Sequence, residues 1–157
     1  MAKLVRRLYV LPSHLPESEQ PYRNPMLDLA PLLAAKPPIP FHAVAALAAA
    51  GLGAVQLWRP KGGRTHRRLG YLWVALMVGV AVSGLFIHVT RMVGLFSPIH
   101  LLSLVTLASL WVAVSRARRG DIAGHRRVMV LLFWLALGLT GAFTFWPGRV
   151  MHQVVFG

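Results

Sequence analysis

The sequence contains no cysteine, which excludes disulfides, thiolate metal sites and cysteine nucleophiles. Acidic residues are almost as scarce, with four Asp and Glu against 17 Lys and Arg. Glu17, Glu19 and Asp28 lie near the N-terminus and Asp121 lies between two apolar runs, so no carboxylate falls inside a long apolar segment. Proton relays and cation transporters of the membrane place ionisable side chains there, so the sequence argues against that class. No serine, base and acid constellation of a hydrolase is visible either. The catalytic repertoire left open is electron transfer at most.

What the chain has in quantity is apolar length. Apolar residues make up 56% of it and charged residues 13%, with a mean hydropathy of +0.58, a composition foreign to soluble domains. A transmembrane helix needs ~20 mostly apolar residues to cross ~30 Å of hydrocarbon. Four stretches qualify, at about 40–58, 69–90, 98–114 and 128–146. The expected fold is therefore all-α, a four-helix transmembrane bundle over 40–157 preceded by an irregular tail over 1–39. That tail holds seven of the eleven prolines. Its apolar segment from Met26 to Ala35 is too short to span and is broken by Pro31, which suits it to the membrane interface or to a neighbouring subunit. Met1 to Leu11 is too short for a cleavable signal peptide, so insertion is expected to rely on the spans themselves.

A formal charge of +13 invites a nucleic-acid reading. The basic residues, however, gather in short loops beside apolar runs, where cytoplasmic retention and anionic lipid explain them, and no nucleic-acid partner is expected. Arg59, Lys61, Arg64, Arg67 and Arg68 lie between spans one and two, Arg116, Arg118, Arg119, Arg126 and Arg127 between three and four, and Arg91 alone between two and three. In a bacterial inner membrane this asymmetry puts both basic loops in the cytoplasm and both termini in the periplasm. Lys3, Arg6, Arg7, Arg23 and Lys36 in the tail pull the other way. Trp58, Tyr71, Trp111, Trp134, Phe145 and Trp146 fall near the span ends, as interfacial anchors do.

The chain also reads as a duplicated helical hairpin. Pro40-Phe41-His42, an apolar run and His66-Arg67-Arg68 recur as Pro98-Ile99-His100, an apolar run and His125-Arg126-Arg127, with histidines 24 residues apart in the first copy and 25 in the second. Two parallel hairpin repeats would set His42 and His100 at the outer face and His66 and His125 at the cytoplasmic face. Facing helices of a bundle can then offer one imidazole pair per layer, and imidazole pairs are a recurrent way of holding haem b. The competing reading is that histidine simply tolerates the interface and faces lipid phosphate or solvent. The arginines beside His66 and His125 divide in the same way, between haem propionates and retention of the loops. His88 and His152 are spare, and His14 is expected in solvent. Small residues such as Ala46 and Ala50 in span one point to close helix packing. Gln56, Ser83, Ser103, Thr106, Ser109, Thr140 and Thr144 are the polar residues within spans, expected to bond to helix carbonyls.

From His42 onward the chain resembles a family of bacterial predicted membrane proteins of unknown function. The likeness rests on His66-Arg67-Arg68-Leu69-Gly70-Tyr71, on Gly120-Asp121 followed by His125-Arg126-Arg127-Val128-Met129, and on Phe96-Ser97-Pro98-Ile99-His100. It implies a fold and no activity. More loosely the chain is similar to di-haem b-type cytochromes, whose four core helices carry one His pair near each membrane face. That likeness implies His42 with His100 and His66 with His125 as axial ligands of haem b. It departs from the pattern in setting the cytoplasmic histidines beside arginines at the very start of their spans, which weakens the cytoplasmic centre relative to the outer one. Two functions follow: a small b-type haem electron carrier, or a cofactor-free accessory subunit that contacts lipid and other membrane subunits.

Overall fold

A computed structural model describes residues 28–87 and 98–156. Helix α1 (Ala30–Leu33) is followed by α2 (Ile39–Trp58), α3 (Arg64–Leu85), α4 (Pro98–Arg118) and α5 (Ile122–Leu131). A π-helical stretch, Leu132–Leu139, carries α5 directly into α6 (Thr140–Phe143), and α7 (Val150–Phe156) closes the chain. No strand occurs among the described residues. The rod Ile122–Phe143 and helices α2, α3 and α4 are the four segments long and apolar enough to cross a membrane. Only 11% to 28% of each apolar window is buried inside the bundle. So much outward apolar surface is what a lipid-facing helix presents, and the all-α membrane bundle is established on these grounds.

The observed helices begin earlier than hydropathy alone suggests. α3 starts at Arg64 and α5 at Ile122, each several residues before its apolar run, because the basic residues occupy the first helical turns. His66 and His125 are thereby helical residues of their first turns. The helices form a ring: α2 lies on α3, α3 on α4, α4 on α5, and the π-helical stretch returns to α2. α2 and α4 therefore stand diagonally, as do α3 and the last span.

One layer holds the ring together. Ala49 of α2, Trp73 and Met77 of α3, Leu110 of α4, and Leu132 and Leu137 of the last span form a single buried cluster. Trp73 is only 3% exposed, unlike the interfacial Trp58 at 85%. Its Nε1–H donates to the Ala49 carbonyl at 2.9 Å, which satisfies the indole inside the bundle. Gly53 makes this possible: a Cβ there would stand 2.6 Å from Trp73 Nε1 and 2.7 Å from the Phe133 ring.

The two hairpins differ in detail. α2 and α3 are joined through Gly62 at φ +90°, whereas α4 and α5 are joined by the three residues between them, with Gly120 at φ +81°. The second hairpin also contains the π-helical stretch, where Thr140 Oγ1 donates to the Leu135 carbonyl at 3.0 Å. Of the tail, only 28 onward is described, together with α1. There Leu32 and Val154 are buried, and Asp28 N–H donates to the Val154 carbonyl at 2.9 Å, so α1 packs on α7. His14, His88 and Arg91 lie outside the described residues.

Candidate functional site

At the basic-loop end, each of the two hairpins ties its histidine to the preceding helix. Gln56, near the end of α2, donates Nε2–H to the His66 carbonyl at 3.0 Å and turns Oε1 toward His66 Nδ1 at 3.2 Å. With its amide nitrogen on a carbonyl, Gln56 offers the ring an oxygen, which can only accept. His66 therefore carries its proton on Nδ1. His125 meets the Ala113 carbonyl through Nδ1 at 2.9 Å, and the same argument protonates that nitrogen. In both rings Nε2 is left uncommitted among the described residues. His66 lies within electrostatic reach of His125 and of Lys61. Both histidines are half-buried, and Arg67, Arg68, Arg126 and Arg127 beside them are exposed.

The second basic loop positions His125 closely. Gly120 N–H bonds to the Ala117 carbonyl at 3.2 Å and Asp121 N–H to the Arg116 carbonyl at 3.0 Å, the paired bonds of a Schellman ending. Gly120 takes the left-handed conformation that this ending requires. Asp121 then starts the next helix, its Oδ1 accepting from Gly124 N–H at 2.8 Å. Its Oδ2 meets Arg116 Nη1 at 3.0 Å. Gly124 is required beside this pair, because a Cβ there would strike both Arg116 Nη1 and the Asp121 carboxylate. In the first loop Lys61 Nζ donates to the Leu57 carbonyl at 2.6 Å and closes the end of α2.

At the opposite end, His42 in the first turn of α2 and His100 near the start of α4 both attach to the last turn of α3. Ser83 spends its hydroxyl proton on the carbonyls of Gly79 at 2.7 Å and Val80 at 3.0 Å. Its Oγ therefore accepts from His42 Nδ1–H at 3.0 Å. His100 is 9% exposed and donates Nε2–H to the Leu85 carbonyl at 2.9 Å. These two histidines are thus brought to the same end of the bundle with α3 between their helices.

A cavity of about 50 Å³ opens between the helices here, lined by His42, Met77, Ser103, Thr106 and Thr140 among others. That volume accommodates a few waters. A porphyrin would need the helices to move apart, and it would find His100 Nε2 already bonded. As packed, the residues of this end do not fit a haem. At the basic-loop end the Nε2 atoms of His66 and His125 are both unspent among the described residues. His152 has a local role: Nδ1 donates to the Phe145 carbonyl at 2.9 Å and its ring lies 5.0 Å from that of Phe156.

Sequence reasoning passed over Trp73 and Gly124, and it read Arg116 only as a basic-loop residue and Gly53 only as a small packing residue. Gly120-Asp121 before a helical run was the available signal for the turn. Ser83, Thr140 and Thr144 do bond to helix carbonyls as expected, whereas Ser103 and Thr106 do not. A family model described as predicted membrane protein (DUF2306) matches residues 39–153, most of the chain. No curated protein and no solved structure matches the sequence.

Proposed function

The chain belongs to the DUF2306 family of predicted membrane proteins, and on that footing we propose that it is a small b-type haem protein passing electrons within or across the membrane. His66 and His125 would hold the haem in this reading. The observation that carries it is their shared hydrogen bonding. Each ring gives Nδ1–H to a protein acceptor and keeps Nε2 for a metal, the arrangement in which ligating histidines are normally held. The exposed arginines next in sequence supply cations for propionates. When bound, the haem contributes one-electron redox chemistry at iron. The chain's own residues orient the imidazoles and neutralise charge.

The test is an absorption spectrum of the protein purified in mild detergent, before and after dithionite. Soret and α bands are expected, diminished in His66→Ala and His125→Ala and retained in His100→Ala. A colourless, helical, monodisperse protein from cells supplied with haem would overturn the reading. That outcome would turn the balance to the second one, a cofactor-free accessory or structural subunit of a larger membrane complex. A specific observation favours this alternative: Gly51 is exposed on α2, with nothing within 4 Å of a Cβ built there, among outward Leu47, Ala48 and Val55. Such a face admits the close approach of another helix.

A further inference from the structure

The end of the bundle away from the basic loops contains hydroxyls without an assigned purpose. Ser103 and Thr106 are 6% and 5% exposed, and neither hydroxyl makes a hydrogen bond to another described residue. Both line the cavity of about 50 Å³, together with His42 and Thr140. Serine and threonine inside a membrane helix ordinarily return their proton to a carbonyl of the preceding turn, as Ser83, Thr140 and Thr144 do here. Ser103 and Thr106 forgo that bond and open onto the gap. Gly84 allows this at Ser103, whose Oγ would stand 2.9 Å from a Cβ at that position.

Unbonded hydroxyls within hydrocarbon are costly unless something in the cavity bonds to them. The occupant must be small, neutral and able both to donate and to accept. Cations are disfavoured, because no carboxylate lines the gap among the described residues. The volume admits a few water molecules and excludes larger organic ligands. Thr106 lies eight residues beyond the first residue of α4, about 12 Å along the helix axis, so the cavity reaches well below the membrane surface.

We infer that this cavity is a specific hydration site. Waters held by Ser103 and Thr106 bridge α4 to His42 of α2 and to the last span near Thr140. The site joins three helices by hydrogen bonds that the protein does not complete alone, and it wets an imidazole inside the membrane. It is independent of the haem reading, which concerns the other end of the bundle.

Met77 supplies the probe, because it lines the cavity and is only 1% exposed. In X-ray radiolytic footprinting of the full chain in nanodiscs, activated bound water oxidises the side chains it touches. Met77 is expected to gain oxygen, with ¹⁸O incorporated from labelled water, at a rate within about tenfold of the half-exposed Met151. Thr106→Val and Ser103→Ala should each lower Met77 labelling several-fold with Met151 unchanged, and Thr106→Ser should retain it. Circular dichroism identifies variants that keep the native helix content, and Thr106→Ser provides the reading should Thr106→Val fail to fold. Absence of label at Met77 in the native protein would overturn the inference, as would equal labelling in Thr106→Val and Thr106→Ser.

Discussion

Arg116 and Asp121 meet at 3.0 Å across the turn that joins α4 to the last span, and the same carboxylate caps the following helix through Gly124 N–H. Two contacts of different worth converge on one side chain. Both partners are about half exposed, so the ion pair contributes little in water, while loss of an N-cap costs about 1 kcal/mol. Asp121→Asn, which keeps a capping oxygen, should therefore be nearly neutral, and Asp121→Ala should destabilise by about 1 kcal/mol. Unfolding by graded SDS in mixed micelles, followed by circular dichroism, separates the two variants. Equal loss in both would assign the effect to the ion pair.

Gly53 and Gly51 lie two residues apart on α2 in opposite circumstances. A methyl group at Gly53 runs into Trp73 and Phe133, and one at Gly51 meets nothing. Gly53→Ala should destabilise by about 1–3 kcal/mol through overpacking. Gly51→Ala should be neutral or stabilise by up to about 1 kcal/mol, since alanine holds a helix better than glycine. The same denaturation assay reads both, and a destabilising Gly51→Ala would show that its face is already occupied by another chain.

Trp73 combines apolar burial with one hydrogen bond to the Ala49 carbonyl. Trp73→Phe retains most of the ring volume and removes the donor, so a loss of about 1–2 kcal/mol is expected from the bond and the imperfect fill together. The indole should fluoresce as an apolar, quencher-inaccessible tryptophan, and subtracting the Trp73→Phe spectrum isolates it from exposed Trp58, Trp111, Trp134 and Trp146. A difference spectrum at the wavelength of solvated indole would contradict its burial.

Gln56 tests the tautomer argument apart from ligation. Gln56→Leu removes the acceptor for His66 Nδ1–H while leaving the imidazole in place. Loss of an outer partner of this kind typically weakens metal affinity about 10–100-fold. Haem retention during titration with apomyoglobin as acceptor should fall by that order in Gln56→Leu. Gln56→Glu, which keeps an acceptor, should retain more. Unaltered retention in both variants would remove Gln56 from the site.

The four apolar helices were legible in the sequence because hydropathy acts residue by residue. Five basic residues near each of two turns marked the same end of the bundle, although most of them lie within the helices rather than between them. What the sequence did not disclose depends on pairs distant along the chain. Trp73 carried no signal in the sequence, because its partner Ala49 and its space at Gly53 lie on another helix. Matched spacing paired His42 with His100 and His66 with His125, yet His100 alone bonds through Nε2, while the other three bond through Nδ1. Ser103 and Thr106 likewise look the same in sequence as Ser83 and Thr140. Only packing decides whether a hydroxyl turns back to its own helix.

The layer around Trp73 and Leu110 draws on every member of the ring, including Leu132 and Leu137 from the last to be synthesised. A nascent chain that has delivered three helices to the membrane still lacks one wall of this layer, leaving Trp73 and Met77 facing lipid. Assembly therefore has a late checkpoint. Chains halted before Leu132 should remain loosely associated and prone to degradation, and the arrival of the final helix commits the other three to their places.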